Sequence, residues 1–529
     1  MASQRVRALI DWCDQHKVIL SNITIIDRSA ESPTDVSGIS VLADSNLAHS
    51  DLVAKIPKLS ILSRRTSRLL SDIPGSDTNG NDVMELTLVL AYELALGEQS
   101  AWAGYLQSLP HEQVPVAALW DENEDEDSQY ARLWLQETET ARAIRELSTE
   151  RTISQTISGY YNRVANPILS QAGCKVTLDD FRQAWSLVSS RSFRVDSYHG
   201  LAMVPIADAF NHIGENQVHI ETDFDVCPIC GSLQSCPHDD DQESPGLTEG
   251  KTDLENTCDM IMNAPVSTGD EIFNSYDANL PNSTLLARYG FILEGNEHDY
   301  VSWDATHLPP SMQGCTLSEE LAGIWTEELL NTTSLVYDRR NTPGTSVHTD
   351  STWHARSPTP PHYRINSDGL ASVDLWTAAA VCSVKATGGN HLGSISKTSL
   401  KELARVQVAV ENNEDIDIAN IGNLTTACLH LRILANLVQD LCRSRLEGMY
   451  KPELSISECG NLLDVSSFLP ASISDIFFMA GLGRCQDLPA TMVRSRMAVA
   501  QALSERATLI ACRDGWDDLI TSIDETSPD

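Results

Sequence analysis

The periodicity of apolar residues changes twice along this chain, and this restricts the folds that it can adopt. Over about 60–190 apolar side chains recur at helical spacing, whereas from 195 to 303 short apolar runs are broken by Asn, Gly, Pro and Asp, as is typical of strands and loops. Helical faces return beyond about 365. In the 60–190 region, one such helical face consists of Val83, Leu86, Leu90 and Leu94. The pattern predicts an α+β chain in which a β-rich module with a helical insertion precedes an all-α domain.

The 529 residues are enough for two or three domains, and the same pattern indicates where they divide. We predict a β-rich domain over 1–303 that carries a helical insertion at about 60–190 and a second insertion at about 224–256. A helical domain is expected over 304–529. Two polar segments are expected to be flexible loops, Asp239–Asp253 and about 341–362.

The charge balance is strongly acidic, with 37 Lys and Arg against 74 Asp and Glu and a formal net charge of −37. The phosphates of duplex nucleic acid would be repelled, so no direct nucleic-acid ligand is expected. A basic protein would instead be attracted by the long-range field. The alternative is that the acidic surface serves solubility alone.

No stretch approaches the ~18 consecutive apolar residues of a membrane span, and the N-terminal residues lack the apolar core of a signal peptide. The 13 cysteines are odd in number and scattered, unlike a secreted disulfide framework. A protein of the cytoplasm or nucleus without membrane association is therefore expected, and we expect it to be a monomer.

Three short stretches place polar or aromatic side chains at strand ends and turns. Residues 205–212 end an apolar run, residues 269–279 lead from a turn through a strand, and residues 282–291 form a helical turn. Taken singly, each is explained by a polar turn or by a core tyrosine whose hydroxyl finds a partner. The side chains that they present are, in order, Asp208, Asn211, His212, Tyr276 and Tyr289.

In this order and approximate spacing, the three stretches resemble those of SET-domain protein-lysine methyltransferases of the Rubisco-methyltransferase-like subgroup. That subgroup has a helical insertion within the SET domain and a helical substrate-binding domain after it. Segments 37–43, 55–59 and 189–193 also resemble family positions, the first being similar to a Gly-x-Gly-x-x-Ala segment. The resemblance covers 1–303, while over 304–529 it rests on helical periodicity alone.

The resemblance implies S-adenosylmethionine as cofactor and assigns it a set of contacts. Backbone contacts fall to two residues and polar or ring contacts to five, namely Gly38 and Ile39, then Arg191, Asp208, Asn211, His212 and Tyr276. Arg191 would pair with the cofactor carboxylate through a bidentate fork. Ser40 stands where the family has its second glycine, and a side chain there is expected to restrict the backbone and to alter cofactor binding.

By the same resemblance, Tyr276 and Tyr289 are the catalytic residues and line the channel for the substrate nitrogen. Methyl transfer to an amine needs a neutral nucleophile, and an apolar channel lowers the pKa of lysine from its usual value of about 10.4. A tyrosine hydroxyl, with a pKa near 10, is a poor base at neutral pH. We therefore expect positioning and desolvation to supply most of the rate.

A separate cluster, Cys-x2-Cys-x5-Cys-x-His, has the residue types of a zinc site. Two thiolates on a short turn followed by Gly231, with a third cysteine and a histidine, complete a tetrahedral set. The predicted ligands of a structural zinc ion are Cys227, Cys230, Cys236 and His238, with Cys258 as a replacement ligand. A redox pair at the first two positions, or incidental thiols in an exposed loop, are the alternatives.

The sequence thus favours an S-adenosylmethionine-dependent protein-lysine N-methyltransferase acting on a basic non-histone protein, ribosomal or nuclear. Histidine N-methylation is a variant of this hypothesis. A non-catalytic SET-like adaptor that binds basic proteins is the alternative from another class, motivated by Ser40. The substrate and the number of methyl groups added stay open.

Overall fold

A computed structural model describes most of the chain. The described residues are 3–28, 38–71, 81–121, 125–147, 151–238, 256–277, 279–310, 312, 363–386, 403, 424–463 and 492–526. Both segments expected to be flexible, Asp239–Asp253 and about 341–362, lie outside them. Within these ranges, no helix combines the length and apolarity that a bilayer crossing needs.

The strands are short and form several small antiparallel sheets. The strands are β1 (Ile19–Leu20), β2 (Ile23–Asp27), β3 (Ile39–Ala43), β4 (Leu52–Pro57), β5 (Leu62–Ser63), β6 (Ser192–Arg194), β7 (Leu201–Met203), β8 (Val218–Thr222), β9 (Thr257–Met262), β10 (Tyr300–Trp303) and β11 (Tyr363–Asn366). The largest sheet has four strands in the order β1–β4–β9–β8, a second has three in the order β5–β7–β6, and β2–β3 and β10–β11 form two-stranded sheets.

Most of the described helices lie in the predicted insertion or in the C-terminal region, and the first and the tenth lie outside both. They are α1 (Gln4–Gln15), α2 (Arg68–Ser71), α3 (Asp82–Leu96), α4 (Ala103–Leu106), α5 (Glu126–Trp134), α6 (Glu139–Glu146), α7 (Ile153–Tyr160), α8 (Asn166–Gln171), α9 (Leu178–Arg191), α10 (Asn282–Thr284), α11 (Val373–Ala386), α12 (Leu424–Gly448), α13 (Ile456–Asn461) and α14 (Val493–Thr526). The sequence-based α+β class is confirmed, and among the described residues of the C-terminal region β11 is a strand beside the helices.

Local sequence explains the ends of the two longest insertion helices. Asn81 accepts a hydrogen bond from the backbone of Met84 at the start of α3, and Gly97 ends that helix with a φ of +56°. Thr177 and Asp180 form a reciprocal capping box at the start of α9. These two helices pack together and, with the small sheets, enclose one continuous hydrophobic core.

A second hydrophobic core joins the insertion to the C-terminal helices. Trp120, Tyr130 and Trp134 are fully buried there together with Leu434 of α12 and Val499 of α14. The C-terminal helices therefore do not stand apart from the β-rich part of the chain, because they share a core with α5.

Buried charged groups lie along this junction. Glu139 at the start of α6 accepts hydrogen bonds from the backbone and hydroxyl of Ser302 at 2.9 and 2.6 Å and from the Arg445 guanidinium at 2.7 Å. Its own backbone N–H donates to Glu505 of α14 at 2.8 Å. The Glu505 side chain is 3% exposed and also accepts a bond from Gln501.

Glu505 is expected to make stability fall with rising pH. Burial, with the nearby charge of Glu139 as a second cause, raises the pKa of Glu505 from 4.5 to about 8. The folded chain then holds a proton that the unfolded chain has lost, so the free energy of unfolding decreases as pH rises from about 4.5 to about 8. In urea unfolding, Glu505→Gln should be less sensitive to pH over this window, whereas the exposed-site control Glu447→Gln should follow wild type. An unchanged slope in Glu505→Gln would contradict the prediction.

Candidate functional site

Two segments that are far apart in sequence run side by side at the centre of the site. His212 and Asn274 form a parallel β-bridge. The Asn274 N–H donates to the Asn211 carbonyl at 2.8 Å, and the Asn274 carbonyl accepts from the Ile213 N–H at 2.9 Å. This pairing places the turn that ends in His212 directly beside Tyr276.

Four rings then form what we call the aromatic wall, namely His212, Tyr276, Tyr289 and Phe291. Tyr276 stacks between His212, at 5.0 Å between ring centroids, and Tyr289, at 4.9 Å. Phe291 meets Tyr276 edge-on at 6.2 Å. Stacked and edge-on rings of this kind make an apolar surface with electron-rich faces, which suits a cation or a desolvated amine.

His212 is neutral at neutral pH. Burial is the largest cause that lowers its pKa, to about 4. Its Nδ1 accepts a hydrogen bond from the Tyr276 backbone N–H at 3.0 Å, which leaves the proton of the neutral ring on Nε2. His212 therefore orients the Tyr276 backbone and presents one N–H donor.

Tyr276 is half-buried, and its phenol stays protonated at neutral pH. Burial raises its pKa, the positive charge of Arg191 lowers it, and the carboxylate of Asp208 raises it. No described residue hydrogen-bonds the Tyr276 hydroxyl. A neutral hydroxyl that can both donate and accept therefore stands within the electrostatic reach of Arg191.

Tyr289 is buried, at 7% exposed, and its position depends on the glycine after it. Residues 285–289 form a wide π-helical turn, and Gly290 ends it with a φ of +78°. A Cβ at Gly290 would lie 2.9 Å from the backbone carbon of Pro115 in the insertion. The glycine between Tyr289 and Phe291 is thus required by a left-handed backbone and a close approach.

Arg191, at the end of α9, contacts the turn that ends in His212. Its guanidinium donates to the Asp208 carbonyl at 2.8 Å. The Asp208 carboxylate accepts from the hydroxyl of Tyr105 in α4 at 2.8 Å, and burial, partly offset by Arg191, raises the pKa of Asp208 to about 6. Asp208 thus ties the insertion to the site through Tyr105, which has the spacing of an ordinary apolar position on a helical face.

The Gly38 segment borders the turn from the other side. Gly38 has a φ of +60°, and the Asn211 amide lies within hydrogen-bond distance of the Ile39 carbonyl at 3.2 Å, of Ser40 Oγ at 3.3 Å and of Glu271 Oε1 at 2.7 Å. Ser40 lies in β3 in register with Ile26 of β2, without a positive φ. The serine therefore leaves the strand regular and adds an acceptor for Asn211.

The cysteine cluster lies elsewhere in the fold. The ligand atoms of Cys227, Cys230, Cys236 and His238 all lie within 4.8 Å of one another, so they could hold a metal ion. Cys258 is not part of this group because it is fully buried in β9, where burial raises the pKa of its thiol to about 12.

Comparison with known proteins identifies relatives of this chain. No model of a protein family matches the chain. Ribosomal lysine N-methyltransferase 3 of Saccharomyces cerevisiae is 24% identical over 58% of this chain and 66% of its own length. N-lysine methyltransferase setd6 of Xenopus laevis is 24% identical over 54% of this chain and 57% of its own. The chain thus spans between about half and two thirds of the length of these curated relatives.

A solved structure of Rubisco LSMT bound to AdoMet has a similar fold. It superimposes with a TM-score of 0.53 and 15% identity, covering 99% of this chain and 94% of that one. The chain therefore has the fold of Rubisco LSMT and is similar in sequence to proteins named as lysine N-methyltransferases.

Proposed function

We propose that this chain transfers a methyl group from S-adenosylmethionine to a lysine side chain of a protein substrate. The observation that carries the proposal is the position of Tyr276, whose ring is stacked between His212 and Tyr289 and whose hydroxyl has no partner among the described residues. The relatives named as lysine N-methyltransferases and the AdoMet-bound Rubisco LSMT support the same chemistry.

The residues beside Tyr276 fit the cofactor. Arg191 Nε is a buried donor without a partner in the described structure, which suits a carboxylate. The Asn211 amide nitrogen is engaged by the protein, so its side-chain oxygen is left to accept from an amino group. Gly38 and Ile39 would contribute backbone contacts. When bound, the cofactor supplies the electrophilic methyl group.

The aromatic wall would prepare the lysine. Ring faces attract the ammonium form, and exclusion of water favours loss of its proton, so that a neutral amine faces the methyl group. The Tyr276 hydroxyl, kept protonated by a raised pKa, would orient the amine by hydrogen bonding and not act as the base. Tyr289 would support the Tyr276 ring from its other face.

We assign the substrate to basic non-histone proteins, ribosomal or nuclear, because a formal charge of −37 attracts them. The name of the yeast relative supports the ribosomal choice. We also propose that the chain is a monomer, and we assign it to the cytoplasm or nucleus because none of the described cysteines forms a disulfide. The proposed division is a SET domain over 1–303 and a helical substrate-binding domain over 304–529, with the helical insertion sharing cores with both.

Calorimetry and a labelling assay test the proposal. The folded protein should bind S-adenosylmethionine, and with tritiated cofactor and purified ribosomal proteins it should label a lysine, located by mass spectrometry. Asn211→Ala should weaken cofactor binding by about 10-fold, from the loss of hydrogen bonds. Absence of binding by folded wild-type protein would overturn the proposal in favour of the adaptor, and label on histidine would overturn the assignment to lysine.

A further inference from the structure

We propose that Cys227, Cys230, Cys236 and His238 bind one structural zinc ion, which fastens the zinc-knuckle segment, residues 224–238, to the edge of the SET core. The inference is independent of methyl transfer. The structure gives both the ligand geometry and the contacts that the ion would preserve.

The two distances from His238 to cysteine sulfurs are close to those of a tetrahedral zinc centre. Zn–S bonds of about 2.3 Å and Zn–N bonds of about 2.0–2.1 Å at tetrahedral angles separate S from N by about 3.5 Å and S from S by about 3.8 Å. His238 Nδ1 lies 3.5 Å from Cys236 Sγ and 3.8 Å from Cys227 Sγ. All four ligand atoms fall within 4.8 Å of one another. A cation at their centre would need ligand shifts of no more than about 1 Å.

The turn between the first two cysteines is preformed. The Gly231 N–H donates to the Cys227 carbonyl at 2.7 Å, and the Cys227 N–H donates to the Ser232 carbonyl at 2.9 Å. The backbone N–H groups of Cys230 and Ile229 also donate to the Cys227 sulfur, so this ligand is already positioned within the turn.

Gly231 shows why this turn must hold its shape. Its φ is +72°, and a Cβ there would lie 2.6 Å from the ring of Tyr198. The Arg65 guanidinium lies 5.2 Å from the centroid of that ring. The turn therefore packs against a fixed aromatic side chain of the SET core, which a freely moving cysteine loop would not do.

Polar contacts join the zinc-knuckle segment and its flanks to the core. Asn256 donates to the Gly231 carbonyl at 3.2 Å, and its own carbonyl accepts from the Lys58 N–H at 3.0 Å. The Ser197 hydroxyl donates to the Val226 carbonyl at 2.9 Å. The Lys58 ammonium, buried against Asp196, also donates to the carbonyl of residue 223 at 2.6 Å. Closing the Cys–His set would hold these contacts in place.

The donor set indicates zinc and a structural role. Three thiolates and one imidazole are soft ligands that favour zinc in tetrahedral geometry. Four protein ligands fill its coordination, so no position is left for a reacting molecule. A redox pair would need only Cys227 and Cys230, and would not explain why Cys236 and His238 converge on them.

Metal content and ligand exchange test the site. The purified full-length chain should contain about one zinc ion, and the cobalt-substituted form should show the visible absorption of a tetrahedral cobalt–thiolate centre. Cys227→Ser/Cys230→Ser should lose the ion, while Cys174→Ser, outside the cluster, should keep it. His238→Ala should bind zinc at least 10-fold more weakly, whereas His238→Cys should retain it because a fourth thiolate can replace the imidazole.

Amide hydrogen exchange should show which residues the zinc ion stabilises. Removing zinc from the wild-type chain should speed amide exchange over 224–238 and 197–199, with little change in S-adenosylmethionine affinity. Zinc-free protein that takes up neither zinc nor cobalt, a Cys227–Cys230 disulfide in the freshly purified chain, or full zinc content in the double cysteine variant would each overturn the proposal. These readouts do not need methyl transfer, so they separate failure of the zinc site from failure of the proposed function.

Discussion

Tyr276→Phe is expected to slow methyl transfer by about 100-fold while leaving cofactor affinity within about twofold of wild type, as for removal of one preorganised hydrogen-bonding group. The phenylalanine ring can keep the stacking on His212 and Tyr289, because both contacts are made by ring faces. No described residue hydrogen-bonds the lost hydroxyl, so no protein group loses a partner. The measurement is single-turnover transfer from bound S-adenosylmethionine, with binding followed by calorimetry.

The pH profile of this variant distinguishes positioning from base catalysis. Since burial raises the pKa of Tyr276, the phenol is neutral across the working range and can orient the amine without taking its proton. The rate of Tyr276→Phe should therefore fall by the same factor at each pH, with the shape of the profile retained. Loss of one limb of the profile would instead indicate a base.

Tyr161→Phe is the matched control for a lost phenol. The Tyr161 hydroxyl donates to the Val176 carbonyl at 2.7 Å within the helical insertion. Its removal should cost about 1 kcal/mol of stability but should leave turnover unchanged. Wild-type turnover in Tyr276→Phe would remove this residue from the reaction and would require a different channel for the lysine.

Features encoded within a short stretch of sequence could be predicted. The four ligands of the zinc-knuckle segment lie within twelve residues, and a turn ending in glycine is a local property, so their convergence follows from the spacing. The caps of α3 and α9 are likewise local, because a capping side chain bonds a backbone group three residues away.

Contacts between distant segments could not be predicted in this way. Tyr105 is 103 residues from Asp208, and Asn211 is 60 residues from Glu271. Tyr105 looks like one more apolar position in a helical face, and Glu271 like an ordinary polar residue after a turn. Only the fold shows that Tyr105 and Glu271 each hydrogen-bond a residue of the turn that ends in His212, since a hydroxyl or a carboxylate carries no sequence signal for its partner.

The effect of Ser40 also depended on three-dimensional context. A glycine-to-serine change suggested a restricted backbone, but a β-region backbone is open to serine, and the hydroxyl lies 3.3 Å from the Asn211 amide. The feature that motivated the non-catalytic adaptor is thus accommodated within the strand. The adaptor hypothesis then lacks its structural reason, and the calorimetric experiment tests it directly.

The junction between insertion and C-terminal helices shows the same dependence on distant pairs. Arg445 of α12 and Glu139 of α6 are 306 residues apart in sequence, yet they form a 2.7 Å ion pair at which the side chains are only 9% and 3% exposed. Buried ion pairs add little over apolar packing, but breaking one leaves a charge without its partner. The junction is therefore far more sensitive to loss of one partner than the surface is.

Arg445→Met is expected to lower the free energy of unfolding by about 3 kcal/mol, because the Glu139 carboxylate is then buried beside Glu505 without its closest cation. The loss should lie at the lower end of the range for such pairs, since Arg142 Nε remains 3.6 Å from Glu139 Oε2. Arg443→Met, two residues away on α12, breaks only the exposed pair with Asp440 and should cost less than about 1 kcal/mol. Urea unfolding of both variants gives the comparison, and equal losses would show that the Glu139 pair does not stabilise the junction.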